Sequence, residues 1–368
     1  MPVDSPKQIL HVFPGFAVGG AQVRFGELAR LLGQRYQHTV IAIDGDITMA
    51  AHLSKDSPVT CLPLCCQTNA PLKGIFQARR ILGEHKPDLL ITYNWGAMDW
   101  CVAQHLLTDL RHIHIEDGFG PEEHTSRLRR RTLLRRLILS QRNTLVVVPS
   151  RVLESIALTE WKVSRASLRY IPNGIDCDRF FCPTRTANHF GPVVIGTVAT
   201  LRAEKNISRL IRLFETVAAQ YELGHVRLLI VGDGPERAKL QREAARSSFI
   251  SHITFTGGTN TPEHFLSQMD IFALTSNTEQ MPMSVLEAMA ARLPIASFSV
   301  GDLTSMVARQ NREMVSVPLS DDGRFVRNLH NLIRSPQLRH TLGSANQEIA
   351  VANFDHDLMV KAYRTLFG

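Results

Sequence analysis

Two carboxylates stand in the stretch TSNTEQMPMSVLEAMAARLPIA. Glu279 lies in a loop-like run, and Glu287 lies inside an apolar helical pattern, with seven residues between them. A carboxylate accepts hydrogen bonds from two neighbouring hydroxyls at once, so Glu287 suits a ribose diol and Glu279 a sugar hydroxyl. The competing reading is structural. Ser284 and Glu287 have the spacing of a capping box, with Pro282 in the first turn of a helix. In the functional reading, the amides around Met283 and Ser284 serve phosphates at a helix N-terminus.

Other turns place anion-binding chemistry after apolar runs. In FPGFAVGGAQVRFGELA, Gly19 and Gly20 precede a helical pattern, so backbone amides can approach a pyrophosphate or a sugar; an ordinary tight turn explains them equally well. The spacing is not GxGxxG, which leaves a nicotinamide cofactor unsupported. VATLRAEKNISRL offers Arg202 and Lys205, the lysine as a point charge for phosphate. Gly232 in VGDGP permits close backbone approach to a ligand, and Gly257 and Gly258 can present backbone to a nucleobase edge. DGD at 44–46 reads as a turn, and no metal site is expected.

In the first half, Asn94 and Trp95 end a strand and can contact an acceptor, with Trp95 as a core residue the competing reading. HIHIEDGF sets Glu116 and Asp117 after another strand. The segment 127–136 holds six arginines, Arg127, Arg129, Arg130, Arg131, Arg135 and Arg136, and no acid. With its leucines it reads as a basic amphipathic helix able to lie on anionic lipid, each basic residue near the surface adding ~1 kcal/mol. A solvated helix with a leucine stripe facing the core is the competing reading. Aromatic residues are not interleaved with the arginines, so nucleic acid is not expected as the partner.

These residues need a scaffold. QILHVF, HTVIAID, TCLPL, DLLITYN, RHIHIE and TLVVVPS read as buried strands alternating with helical patterns, which implies parallel sheets. Breakers around Pro172, Asn173 and Gly174 mark a boundary, after which the alternation restarts. The 368 residues carry a net charge of +7 and 44% hydrophobic residues, a globular balance with a local cationic patch. The six cysteines, including Cys65 and Cys66, form no CxxC pair and read as reduced thiols. No run is long enough for a membrane span, and MPVDSPKQILHVF lacks signal-peptide features, so a cytosolic protein is expected.

GGAQ, YIPNGID, EKN, VGDGP and E-x7-E with LEAMAARLP occur in that order. The chain resembles the retaining glycosyltransferases of family 4. The resemblance implies a GT-B fold, two Rossmann-like α/β domains with parallel sheets facing a central cleft. It implies an acceptor-binding domain at 1–172, a nucleotide-sugar-binding domain at 173–354, and a helix at about 355–368 packing back on the first. It assigns Gly19 and Gly20 to the donor loop, Lys205 to the diphosphate, Glu279 to the donor sugar, Glu287 to the ribose, the backbone of Met281, Pro282, Met283 and Ser284 to sugar and phosphate, and Gly257 and Gly258 to the base. The sequence departs from the family at Thr200, where an arginine is usual, and Arg202 is expected to substitute. It departs again where many members carry a histidine; Asp117 is expected to line the cleft there, with Glu116 beside it.

The resulting expectation is metal-independent, cofactor-free, retaining transfer from a nucleotide-sugar to a glycolipid or lipid-linked glycan, with a UDP-sugar ahead of GDP-mannose. Lys205, Glu279, Arg202 and Asp117 would form the catalytic set. The enzyme would sit peripherally on the cytoplasmic face of the inner membrane. The alternatives are transfer to a soluble acceptor, a nucleotide-sugar epimerase, and a non-catalytic binding scaffold.

Overall fold

The computed structural model describes residues 5–62, 64, 71–107, 110–119, 123, 127–141, 143–182 and 191–368. Cys65 and Cys66 lie outside the described residues. The chain divides into two compact units, Met1–Asn173 with Met359–Gly368, and Gly174–Leu358.

The first unit is built on seven described strands: β1 (Lys7–Phe13), β2 (Tyr36–Ala42), β3 (Val59–Leu62), β4 (Leu89–Tyr93), β5 (His112–Ile115), β6 (Thr144–Val148) and β7 (Leu168–Tyr170). All pairs are parallel, in the order β3-β2-β1-β4-β5-β6-β7. Strands covered on both faces need continuous apolar runs, and β4 is buried at every position. The helix Gly20–Leu32 buries Phe25, Leu28, Ala29 and Leu32, one stripe at helical spacing. Met359, Val360, Tyr363, Leu366 and Phe367, from the helix His356–Phe367, join the same cluster as Phe25 and Ile9. Lys7 Nζ donates to the Phe367 carbonyl at 2.7 Å, so this segment is fastened as well as packed.

The second unit carries β8 (Val193–Val198), β9 (Val226–Val231), β10 (Ile253–Gly257), β11 (Ile271–Leu274) and β12 (Ile295–Ser297), parallel in the order β10-β9-β8-β11-β12. The helix Ile207–Ala218 buries Leu210, Ile211, Phe214 and Val217 against it.

In each sheet the strand order reverses once, at β1/β4 and at β8/β11. Connections leave to opposite sides there, and the carboxyl ends of those strands open a crevice suited to ligands.

Candidate active site

At the β8/β11 reversal, the loop 199–206 follows β8 and the loop 275–282 follows β11. Lys205 Nζ donates to Glu279 Oε1 at 2.5 Å, and Ser276 Oγ donates to the same oxygen at 2.7 Å. The pair is partly open, the lysine side chain 24% and the glutamate 9% exposed. The two loops are tied by backbone as well. The Asn277 amide donates to the Glu204 carbonyl at 2.8 Å, and Asn206 Nδ2 donates to Asn277 Oδ1 at 2.9 Å. Asn206 takes a left-handed conformation, φ 49°, which asparagine tolerates better than most residues.

A further brace comes from a residue that motif reading passed over. Gly301 has φ 53°, and a Cβ there would lie 2.5 Å from the Glu279 carbonyl oxygen and 2.6 Å from that of Gln280. The next residue, Asp302, donates its amide to the Gln280 carbonyl at 3.0 Å. The SVGD turn after β12 was a readable breaker, but nothing local tied it to Glu279.

The helix Met283–Ala290 settles the capping question. Pro282 is its N-cap and no side chain caps it, so Ser284 is the second helical residue and the capping box of the competing reading does not form. Glu287 is half-buried and its carboxylate accepts no hydrogen bond among the described residues. Burial pushes its carboxyl up to about 7, the nearby Arg179 pulling down and Glu263 pushing up. Arg179 itself pairs with Glu263 at 2.8 Å and donates to the Asn260 carbonyl at 2.8 Å. Met281 is 5% exposed within the core cluster and Pro282 is buried, so both can offer a ligand only backbone. The Met283 and Ser284 amides have no acceptor among the described residues, as the first turn of a helix requires.

Gly232 needs a correction. A Cβ on it would sit 1.9 Å from the Ala199 carbonyl oxygen, and its φ is 137°. The close approach is to the neighbouring loop's backbone, and the glycine serves packing. Its amide donates to the Gly257 carbonyl at 2.9 Å, linking the ends of β9 and β10. Gly257 has φ 83°, and Gly258 has only ordinary contact with Asp233. Arg202 and Thr200 are exposed, and the Arg202 guanidinium forms no ion pair among the described residues.

In the first unit Gly19 caps the helix that Gly20 begins. Four residues on, Arg24 is 4% exposed. Its guanidinium lies 2.7 Å from Asp117 Oδ1, donates to Asp117 Oδ2 at 3.0 Å, and donates to Asn173 Oδ1 at 2.6 Å. Asn94 Oδ1 accepts the Asp117 amide at 2.7 Å. Asn94 and Asp117 therefore meet, around an arginine that no motif marks. Asp44 Oδ1 accepts the Asp46 amide at 2.9 Å, and Asp46 Oδ1 accepts the Thr48 amide at 2.9 Å, the hydrogen bonds of a turn.

Two of the acceptor and membrane assignments are corrected. Glu116 is fully buried: Arg135 Nε donates to its Oε2 at 3.1 Å, so it cannot meet an acceptor. Arg135 is also fully buried, pairs with Glu123 at 3.3 Å, and cannot touch lipid. The Trp95 ring packs beneath Arg131 and Arg135, whose guanidiniums lie 4.9 and 5.0 Å from its centroid, which favours its core reading. Arg131 is engaged there and with Glu123 at 3.3 Å, and Arg127 pairs with Glu160 at 2.6 Å. The helix Arg129–Leu139 keeps Arg129, Arg130 and Arg136 exposed beside Leu133 and Leu137, themselves 57% and 55% exposed.

Residues 18–179 match the profile described as Glycosyltransferase Family 4, and residues 185–349 match that of Glycosyl transferases group 1. The putative glycosyltransferase EpsF of Bacillus subtilis (strain 168) is 24% identical over 319 residues, 79% of each chain. The lipopolysaccharide core biosynthesis glycosyltransferase LpsE of Rhizobium meliloti (strain 1021) is 29% identical over 157 residues, 42% of this chain and 45% of that one. Anabaena HepE, solved in complex with UDP-glucose, superposes with TM-score 0.77 at 18% identity, covering 98% of this chain and 99% of its own.

Proposed function

The chain is a glycosyltransferase of the family 4 type with the GT-B fold, and on that premise we propose that it moves a sugar from a nucleotide-sugar, a UDP-sugar ahead of GDP-mannose, to a glycolipid or lipid-linked glycan. The observation that carries this reading is the Lys205–Glu279 pair at the β8/β11 reversal.

Breaking the bond between the sugar C1 and the donor phosphate leaves a diphosphate and an oxocarbenium-like sugar. Negative charge grows on the leaving group, and donors already aimed at it lower the barrier most. Lys205 supplies the cation, and the Met283 and Ser284 amides supply fixed N–H groups. Glu279 holds Lys205 and turns its remaining acceptor capacity to a sugar hydroxyl. Glu287 accepts from the ribose, and the backbone at Gly257 and Gly258 borders the base. With a lysine and amides at the diphosphate, the step needs no metal. Net retention at C1 is the stereochemical expectation. Arg202, exposed on the loop 199–206, adds charge there in this reading. Asp117, oriented by Arg24 and Asn94, belongs to the acceptor side.

Two comparisons support the substrate classes: HepE was solved with UDP-glucose, and LpsE is named for lipopolysaccharide core biosynthesis. No helix among the described residues is long and apolar enough to cross a membrane. The exposed face of Arg129, Arg130, Leu133, Arg136 and Leu137 joins cations to apolar side chains, the combination that binds the surface of anionic lipid. Peripheral attachment at the cytoplasmic face of the inner membrane follows from that reading.

A donor screen without acceptor tests it. The full chain is incubated with UDP- and GDP-sugars and released nucleotide is measured. Slow hydrolysis of one donor, abolished in Glu279→Ala with the fold retained by circular dichroism, is expected. Unchanged turnover in Glu279→Ala overturns the site, and donor binding with no release, even with lipid acceptors added, turns the reading to a binding scaffold.

A further inference from the structure

Away from the loops at the strand reversals, metal-ligating side chains meet inside the first unit. His112 and His114 occupy alternate positions of β5, so both rings stand on one face of the sheet. Cys101 comes from the helix Met98–Leu107, and Thr92 of β4 is the register partner of His114. None of the four is more than 1% exposed. The covered face of a parallel strand is ordinarily filled by Val, Ile or Leu, so this run of polar groups needs a reason.

The geometry supplies one. Cys101 Sγ, a nitrogen of His112 and a nitrogen of His114 all lie within 4.8 Å of one another. Cys101 Sγ and His114 Nδ1 are 3.5 Å apart, close to the edge of roughly 3.5 Å between thiolate and imidazole ligands of a tetrahedral zinc ion. Thr92 Oγ1 stands 2.8 Å from His112 Nε2, 2.9 Å from His114 Nδ1 and 3.2 Å from Cys101 Sγ, the place of a fourth, oxygen donor.

The outward-facing nitrogens point to the same chemistry. His112 Nδ1 meets Thr144 Oγ1 at 3.0 Å, and His114 Nε2 meets Glu116 Oε2 at 3.5 Å. Glu116 is in turn held by Arg135. Ligating imidazoles typically anchor their second nitrogen to a hydroxyl, carbonyl or carboxylate in this way.

We propose that Cys101, His112, His114 and Thr92 form a buried structural site for a zinc-class divalent ion. Thiolate with imidazole selects zinc or cobalt over magnesium and calcium. The bound ion pins the helix Met98–Leu107 to β4 and β5. Taking it up opens the Thr92–imidazole distances to roughly 3.3 Å, which small ring rotations provide. The site takes no part in sugar transfer, so it stands apart from the metal-independent chemistry proposed above.

Because the cluster is enclosed, the ion enters as the chain folds. The full chain is unfolded, refolded with Co²⁺ alone or Zn²⁺ alone, desalted and assayed for metal. About one ion per chain is expected, with a sulfur-to-cobalt charge-transfer band and the visible bands of tetrahedral cobalt. Cys101→Ser is expected to remove the sulfur band, and His112→Gln to lower the bound metal. A wild-type chain that refolds without retaining either ion overturns the proposal and leaves a proton-shared core network. A cobalt spectrum unchanged in Cys101→Ser overturns it too. Should Cys101→Ser fail to fold, the wild-type cobalt spectrum alone decides.

Discussion

Lys205 and Glu279 are each other's counter-ion at 2.5 Å, so replacing either exposes the other's charge. Lys205→Ala should lower kcat by roughly 10²–10³, the cost of losing one preorganised donor to developing charge, and leave the melting curve nearly unchanged. Single-turnover kinetics with saturating donor check this. Glu287 gives a pH signature. Its carboxyl is raised from 4.5 to about 7, so the folded chain binds more protons than the unfolded chain between those values. Stability therefore falls as pH rises through that window. Glu287→Gln removes the cost of the buried charge and should stabilise the protein by about 1–3 kcal/mol above pH 7, with no gain below pH 4.5. Urea melts at both ends of the window measure it. The same substitution should flatten a donor KM that falls as pH rises through about 7, since the ionised form is the better acceptor for a diol. At this scale the sequence exposed what is local. Lys205 and Glu279 sit in loops, and Glu287 in the helix that follows the second, beside an asparagine and a proline that announce them. Arg24 was hidden because Asp117 lies 93 positions away and only the folded sheet joins them. Gly301 was hidden for the same reason.

The helix Arg129–Leu139 shows what a charge run conceals. Six arginines between 127 and 136 looked like one cationic face, but the helical repeat turns Arg135 inward to Glu116 and Glu123. Burial follows phase, and composition carries no phase. Arg135→Ala should cost about 3–5 kcal/mol, because it leaves the buried Glu116 without its arginine and Glu123 with Arg131 alone, and chemical denaturation checks this. Reversing Arg129, Arg130 and Arg136 to glutamate should leave stability within about 0.5 kcal/mol, since these side chains are exposed, while sharply reducing co-sedimentation with anionic vesicles. Equal vesicle binding would remove the lipid surface from the proposal. The parallel strands were largely legible from their apolar runs. β7, three residues in the boundary segment, was not, being too short to show a period. Gly232→Ala should destabilise the second unit by a few kcal/mol, because the added Cβ meets a carbonyl at 1.9 Å in a backbone region that alanine avoids.

At the scale of the whole molecule, the units are not two consecutive halves of the chain. The chain leaves the first after Asn173, builds the second, and returns at Met359. Deleting residues 359–368 removes five side chains from the first unit's core while sparing the second unit's two clusters. Calorimetry of the truncated chain should show the first unit's transition lost or lowered and the second's retained. That return also sets an order of assembly. A growing chain usually completes its domains in the sequence they leave the ribosome. Here the segment translated first must wait, the cluster that holds Ile9 and Phe25 short of five side chains, until the whole second unit and the helix beyond it have been made. The early half is thus the last to become solvent-tight, and a ribosome that stalls late in the message releases a product with one finished unit and one exposed core.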